Sequence, residues 1–219
     1  MNFFQTIYYL FYRPKIFFPK KSYSMFGEDL VINNHFKKKN RGVYVDIGCY
    51  HPFEGSNTHL LYNRGWSGIN IDLSELSIEL FNFTRKRDLN LRLGIGAKNG
   101  KIKYFYRKKI NMLNTTNEAH AKKHFLNGYK TSILEQKTLN QVMKDSKYYN
   151  KTIDFLNIDA EDTEYEILKN FNFKKYKPKL ICIEIHGENK DKRPIYKLLK
   201  KLRYKKIWQE GYSFIFKQN

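Results

Sequence analysis

The sequence predicts an α/β fold, with an open, mostly parallel sheet, helices on both faces and an antiparallel closing hairpin. Three observations carry that reading. From residue 42 onward, short β-rich runs alternate with amphipathic stretches of helical length. Two of the runs end on an acid, Asp72 and Asp159, as strands do where a sheet's carboxyl edge faces a ligand. The last two runs, 205–209 and 212–217, are separated only by Glu210 and Gly211, so they pair antiparallel.

The elements follow in order. Gly42-Val43-Tyr44-Val45-Asp46-Ile47-Gly48 is a first strand stopped by glycine, and Ser67-Gly68-Ile69-Asn70-Ile71-Asp72 is a second. Between them 56–63 suits a helix, with Thr58, Leu61 and Tyr62 on one side. Ser74 is placed to cap a helix running to Arg87, whose buried side is Leu76, Ile78, Leu80, Phe81 and Phe83. A third strand over 90–95 leads into Asn99-Gly100, a hairpin signal, with 101–106 as the returning arm. Residues 107–136 lack a firm period and read as a surface loop or substrate lid. Thr138 opens a helix, 153–159 is a strand, 162–171 a helix, and the β-branched run 180–185 a central buried strand. A helix over 194–202 precedes the closing hairpin.

Composition bounds the function. The 219 residues are enough for one generous domain, and 41 Lys+Arg against 21 Asp+Glu give a net charge of +20. Seventeen Phe and seventeen Tyr exclude a disordered tail protein. Cys49 and Cys182 stand far apart in apolar runs, which excludes a disulfide framework and suits a reducing, cytoplasmic setting. Of the basic residues 32 are Lys and 9 are Arg, scattered along the chain. That pattern fits solvated faces, or attraction to an anionic partner such as lipid head groups, a phosphorylated glycan or nucleic acid. No apolar stretch approaches the roughly 20 residues of a membrane helix.

Residues 1–21 form an aromatic N-terminal segment ahead of a domain spanning 22–219. Its first twenty residues hold eight aromatics and no charge before Arg13, followed by Lys15 and Lys20. Two readings stand side by side: an interfacial anchor making peripheral membrane contact, or a helix docked on the domain's own core.

Strand ends place Asp46–Pro52, Asp72, 94–97, Asp159–Glu161 and 184–186 along one rim. A dinucleotide fold would show G-x-G-x-x-G after the first strand, but this turn has one glycine, Gly48, behind an acid, Asp46. An acid there repels phosphate and suits a cation. Asp72, at the end of the second strand, is placed for ribose hydroxyls. The pair describes S-adenosylmethionine better than NAD.

At this point the residues resemble a known family. The runs SMFGED (24–29), VDIGCYHP (45–52), SNTHLLYNRGWSGINID (56–72), IDFLNIDAEDTEYEIL (153–168) and KPKLICIEIHG (177–187) are similar to those of FkbM-type methyltransferases. The resemblance implies a Rossmann-like class I methyltransferase fold with seven strands. It also implies S-adenosylmethionine as cofactor and O-methylation of a sugar, glycan or small natural product. It would place Asp46 and Gly48 at the methionine end and Asp72 at the ribose, with Cys49 of the same turn and Asn57 of the SNT motif completing the set. Asp159 and Glu161 would form the face where acceptor meets methyl. The chain departs from the family pattern at Tyr50, Pro52 and Asp162, where relatives favour glycine.

A hydroxyl acceptor needs a base. Asp159 and His186 are the candidates, with Glu184 two residues earlier on the same strand face to orient the histidine ring. His51 reads as a packing or capping residue. Asp159, Glu161 and Asp162 at a helix start read as capping groups rather than Mg²⁺ ligands, so no metal is expected. Two other functions remain in view: an RNA methyltransferase, suggested by charge alone, and a decayed methyltransferase acting as a binding module. The sequence lacks an NPPY-type motif and an Arg-interleaved aromatic platform, which argues against nucleic acid. The acceptor expected is a small molecule or glycan, either neutral or anionic or lipid-linked.

Overall fold

A computed structural model describes residues 3–11, 21–186 and 194–219. Arg13, Lys15, Lys20 and Gly187 lie outside the described residues. The main sheet has seven strands in the order β3-β2-β1-β7-β8-β10-β9. These are β1 (Val43–Ile47), β2 (Ser67–Asp72), β3 (Leu89–Arg92), β7 (Phe155–Ile158), β8 (Leu180–Glu184), β9 (Tyr204–Glu210) and β10 (Ser213–Gln218). All neighbours are parallel except β10, which runs antiparallel to β8 and β9. The predicted architecture and closing hairpin are therefore present.

Alternation along the strands divides the core. Val45, Ile47, Leu156, Ile158, Ile181 and Ile183 face α6 (Leu139–Asp145), α7 (Glu164–Lys169) and α9 (Pro194–Lys201) through Val142, Met143, Ile167, Leu168 and Leu199. On the other face Tyr44, Phe155, Leu180 and Cys182 meet Ile32 and Phe36, Leu61 and Trp66. That layer is formed by α2 (Glu28–His35) and α3 (His59–Asn63). The short helix α8 (Phe173–Tyr176) leads into β8. The N-terminal helix α1 (Phe3–Phe11) buries Leu10 against Leu76 and Leu80 of α4 (Glu75–Thr84). No helix among the described residues is long and apolar enough to cross a membrane.

Several element boundaries differ from the sequence reading, each for a physical reason. The expected hairpin at Asn99-Gly100 does not form. The run 90–95 splits into β3 and β4 (Gly94–Ile95), and β4 joins a second sheet of order β4-β6-β5. There β6 (Lys130–Lys137) sits between β4 and β5 (Gly100–Tyr106), parallel to the first and antiparallel to the second. Residues 107–136 thus hold a strand, and also a helix, α5 (Glu118–His124), rather than loop alone. The helix expected over 56–63 starts only at His59, because Ser56, Asn57 and Thr58 spend their side chains on tertiary hydrogen bonds. The helix capped by Ser74 ends at Thr84, where Arg85 leaves helical geometry and turns into the core. Helix α7 begins at Glu164, since Glu161 and Asp162 both hold positive φ.

Candidate active site

The loop leaving β1 is shaped by Gly48. Its φ is +74°, and a Cβ there would meet the Asp159 carbonyl oxygen at 1.7 Å, so no side chain fits. The amides of Gly48 and Cys49 both donate to the Ile71 carbonyl, at 2.9 and 3.1 Å. Asp72 finishes the arrangement: its Oδ2 accepts from the Tyr50 amide at 2.9 Å and its Oδ1 from the Ser74 amide at 2.7 Å. Burial pushes Asp72 up to about 6 despite these two donors. Gly48, Asp72 and Asp159 border one narrow cavity, walled by Ile71, Leu93 and Ile95.

Beneath the loop, strand register lines up Asn70, Asp46, Asn157 and Cys182 across four neighbouring strands. The SNT segment lies over this row. Thr58 Oγ1 donates to Asp46 Oδ2 at 2.8 Å, Asn157 donates to Asp46 Oδ1 at 2.8 Å, and Asn57 Nδ2 donates to Asn157 Oδ1 at 2.9 Å. Asn57 Oδ1 is buried with no hydrogen-bond partner among the described residues. It faces a small cavity shared with Glu28, Asp159 and Glu184. The buried Arg85 guanidinium holds the segment from below, donating to the Pro52 carbonyl at 2.8 Å and to Ser56 Oγ at 3.1 Å.

An acidic and histidine-rich cluster forms the floor of a large cavity of about 1190 Å³. Asp159 has no side-chain hydrogen bond among the described residues. Burial, with Glu184 and Glu161 adding repulsion, raises its pKa well above the carboxylate range. Glu161, pushed up to about 8 mainly by burial, lies 3.2 Å from His120 Nε2, and Asp162 lies 2.9 Å from His120 Nδ1. Glu164 accepts the Ala160 and Asp162 amides as a helix-start cap. His186 Nε2 pairs with Glu184 at 3.0 Å, a bond that raises the imidazole pKa, and the ring packs on Tyr212 at 4.9 Å. Among the described residues no group of three or more His, Cys, Asp or Glu is arranged to hold a metal ion.

The predicted residues therefore divide. Asp159, Glu161 and His186 share the large cavity, and Gly48 and Asp72 share the narrow one with Asp159. Asp46 is spent on Thr58 and Asn157 and borders none of these cavities, because the pleat turns it away from the Val45 and Ile47 face. Cys49 packs against Ile78 and Phe81. His51 caps a turn, its Nδ1 accepting from the Phe53 amide at 3.2 Å. His120 was not legible beforehand, since it lies in the stretch without periodicity and reaches Glu161 only through the fold. The same holds for Arg107, Lys108 and Lys109, which line the large cavity.

Among solved structures, the chain is similar to a TehB-like SAM-dependent methyltransferase from Corynebacterium glutamicum. That likeness has a TM-score of 0.44 and 11% identity over 90% of this chain and 89% of that one. It is also similar to the Burkholderia thailandensis 1,6-didemethyltoxoflavin-N1-methyltransferase, solved with its substrate and S-adenosylhomocysteine. There the TM-score is 0.44, with 8% identity over 87% and 76% of the two chains. No curated protein matches the sequence. Residues 46–206, which hold the glycine turn, the SNT segment and the acidic floor, match the Methyltransferase FkbM domain. The chain belongs to the FkbM methyltransferase family, whose methyl donor is S-adenosylmethionine.

Proposed function

We propose that this protein transfers a methyl group to a hydroxyl of a sugar, glycan or small natural product. The observation that carries the reading is the position of Asp159. It borders both the narrow cavity over Asp72 and the large cavity that holds the Glu184–His186 pair.

The residues fit the methyl donor. Each Asp72 oxygen already accepts one amide and retains a lone pair for a ribose hydroxyl. The orphaned Asn57 Oδ1, beside Asp159 and Glu184, is an acceptor for an ammonium group. The bound donor supplies an electrophilic methyl on a sulfonium, and the surplus of carboxylates favours that cation. The space over Asp72 is about 50 Å³, less than an adenosine fills, and Tyr50 and Met112 border both cavities, so admission of the nucleoside requires these two side chains to move.

Transfer requires alignment of the acceptor oxygen and removal of its proton. Asp159 suits the base role because its carboxylate has no side-chain hydrogen bond to give up among the described residues, and burial beside Glu184 and Glu161 raises its affinity for a proton. His186 is committed through Nε2 to Glu184 and is held more firmly protonated, so it orients the acceptor as a donor.

The test is calorimetric titration with S-adenosylhomocysteine, followed by transfer of labelled methyl to a panel of sugars and hydroxylated metabolites. Micromolar binding with label appearing on a hydroxyl supports the reading. Folded protein that binds no S-adenosylhomocysteine would move the decayed, binding-module reading to the front.

A further inference from the structure

We propose that the acceptor carries a phosphate, gripped by Arg107, Lys109 and Lys123, which line the large cavity from two segments, while its hydroxyl lies at Asp159. This rests on the methyltransferase reading above and names its substrate class. The cavity is bipolar. Its floor holds Asp159, Glu161, Asp162 and Glu184, whereas Arg107, Lys108 and Lys109 line it from the segment after β5 and Lys123 lines it from α5, beside Asp162 and Glu184.

Those cations do not serve the floor. None of the four forms an ion pair with a carboxylate among the described residues, and the Glu161 carboxyl stays raised by burial and by Glu184 and Glu164. Basic groups that leave neighbouring acids unneutralised are placed for something else, and a phosphate dianion matches several cations at once. Arg107 is the one arginine among the described residues that lines this cavity, and its planar fork suits phosphate oxygens. The segment after β5 is also anchored. Phe105 and Thr115 bridge the base of the loop, the Lys109 carbonyl accepts from Ser74 Oγ at 2.5 Å, and Thr115 Oγ1 donates to the Glu161 carbonyl at 3.1 Å.

The phosphate has two sources of equal chemistry, a soluble glycosyl phosphate or a lipid-linked one. The test is calorimetry of the full chain with glucose, glucose 1-phosphate and farnesyl phosphate. It is run on wild type, on the triple variant Arg107→Gln, Lys109→Gln, Lys123→Gln, and on a charge-matched control, Lys37→Gln, Lys38→Gln, Arg41→Gln. The control residues are exposed and precede β1, at the opposite end of that strand from the cavity. S-adenosylhomocysteine is titrated into every variant to report an intact fold and cofactor site.

The proposal expects binding of one or both phosphates but not of glucose. It expects roughly tenfold weaker phosphate binding in the triple variant, little change in the control and constant S-adenosylhomocysteine affinity throughout. Preference for glucose 1-phosphate or for farnesyl phosphate then assigns the source. Phosphates that bind no better than glucose, or that weaken equally in both triple variants, overturn the proposal. Wild type that binds no S-adenosylhomocysteine overturns the methyltransferase reading instead.

Discussion

The Tyr50 amide donates to Oδ2 of Asp72 at 2.9 Å, so the last residue of β2 holds the loop that leaves β1. The same carboxylate fixes the start of α4 through the Ser74 amide. One side chain therefore ties together the two walls of the narrow cavity, and under the proposed function its remaining lone pairs meet the ribose of the methyl donor. Asp72→Ala is expected to weaken S-adenosylhomocysteine binding by on the order of 10- to 100-fold, the loss of one or two hydrogen bonds to a charged acceptor. Calorimetry checks this, and unchanged affinity would remove Asp72 from the cofactor site.

Under the proposed mechanism Asp159 and His186 have separable roles. Asp159→Asn removes the proton acceptor, and His186→Ala removes a donor held by Glu184. Turnover is expected to fall by about two orders of magnitude or more in the first variant, within the range of general-base catalysis. The second is expected to lose less turnover and to raise KM. Both should retain S-adenosylhomocysteine affinity, and equal loss of cofactor binding in the two would end this division.

The acidic floor predicts a pH dependence of stability. Glu161 is pushed up to about 8 and Glu164 to about 7, from an ordinary value of 4.5. Between 4.5 and these values the folded chain binds more protons than the unfolded chain. The stabilisation is full below pH 4.5 and is lost as pH rises through 7 to 8. Thermal unfolding scanned from pH 5 to 9 should show Tm falling as pH rises from 5 toward about 8 and levelling above it. Glu161→Gln, which cannot ionise, should flatten the fall. A sulfonium beside these groups favours their ionised form, so S-adenosylmethionine should gain on neutral S-adenosylhomocysteine as pH rises.

Arg85 is buried among Tyr44, Pro52, Ser56 and Thr58 and donates to all four. Its partner Tyr44 in turn donates to Asp88. Removing the guanidinium leaves four oxygens short of a donor and Asp88 without its nearest countercharge. Arg85→Ala is expected to cost about 3–5 kcal/mol, measured by urea unfolding. A loss below about 1 kcal/mol would mean the network is hydrated rather than dry.

Much of this protein was written locally. The β-rich runs at Val43, Ser67 and Leu180, the Ser74 and Thr138 caps and the closing pair around Gly211 appear where the sequence places them, because each depends on residues within a few positions of one another. Gly48 and Asp72 stand at the strand ends where the sequence puts them for the same reason, since the end of a β-rich run depends on the chain's own order. The Glu184–His186 pair follows from a spacing of two along an extended segment.

The tertiary structure decided what lies across the molecule. The sequence offered Asn99-Gly100 as a hairpin, yet β6 comes between β4 and β5, since strand partners are chosen by non-local hydrogen bonding and not by the turn alone. It offered Asp46 as a ligand-facing acid, but the row formed with Asn157 lies under the SNT segment, where Thr58 consumes it. His120 meets Glu161 and Asp162 only because α5 folds back over the acidic floor. The sequence by itself determined the alternation of the main-sheet strands with their helices and the acids at the strand ends. Which of those acids face a cavity, and which cations stand opposite them, was settled by packing between segments far apart in the chain, which a local period does not encode.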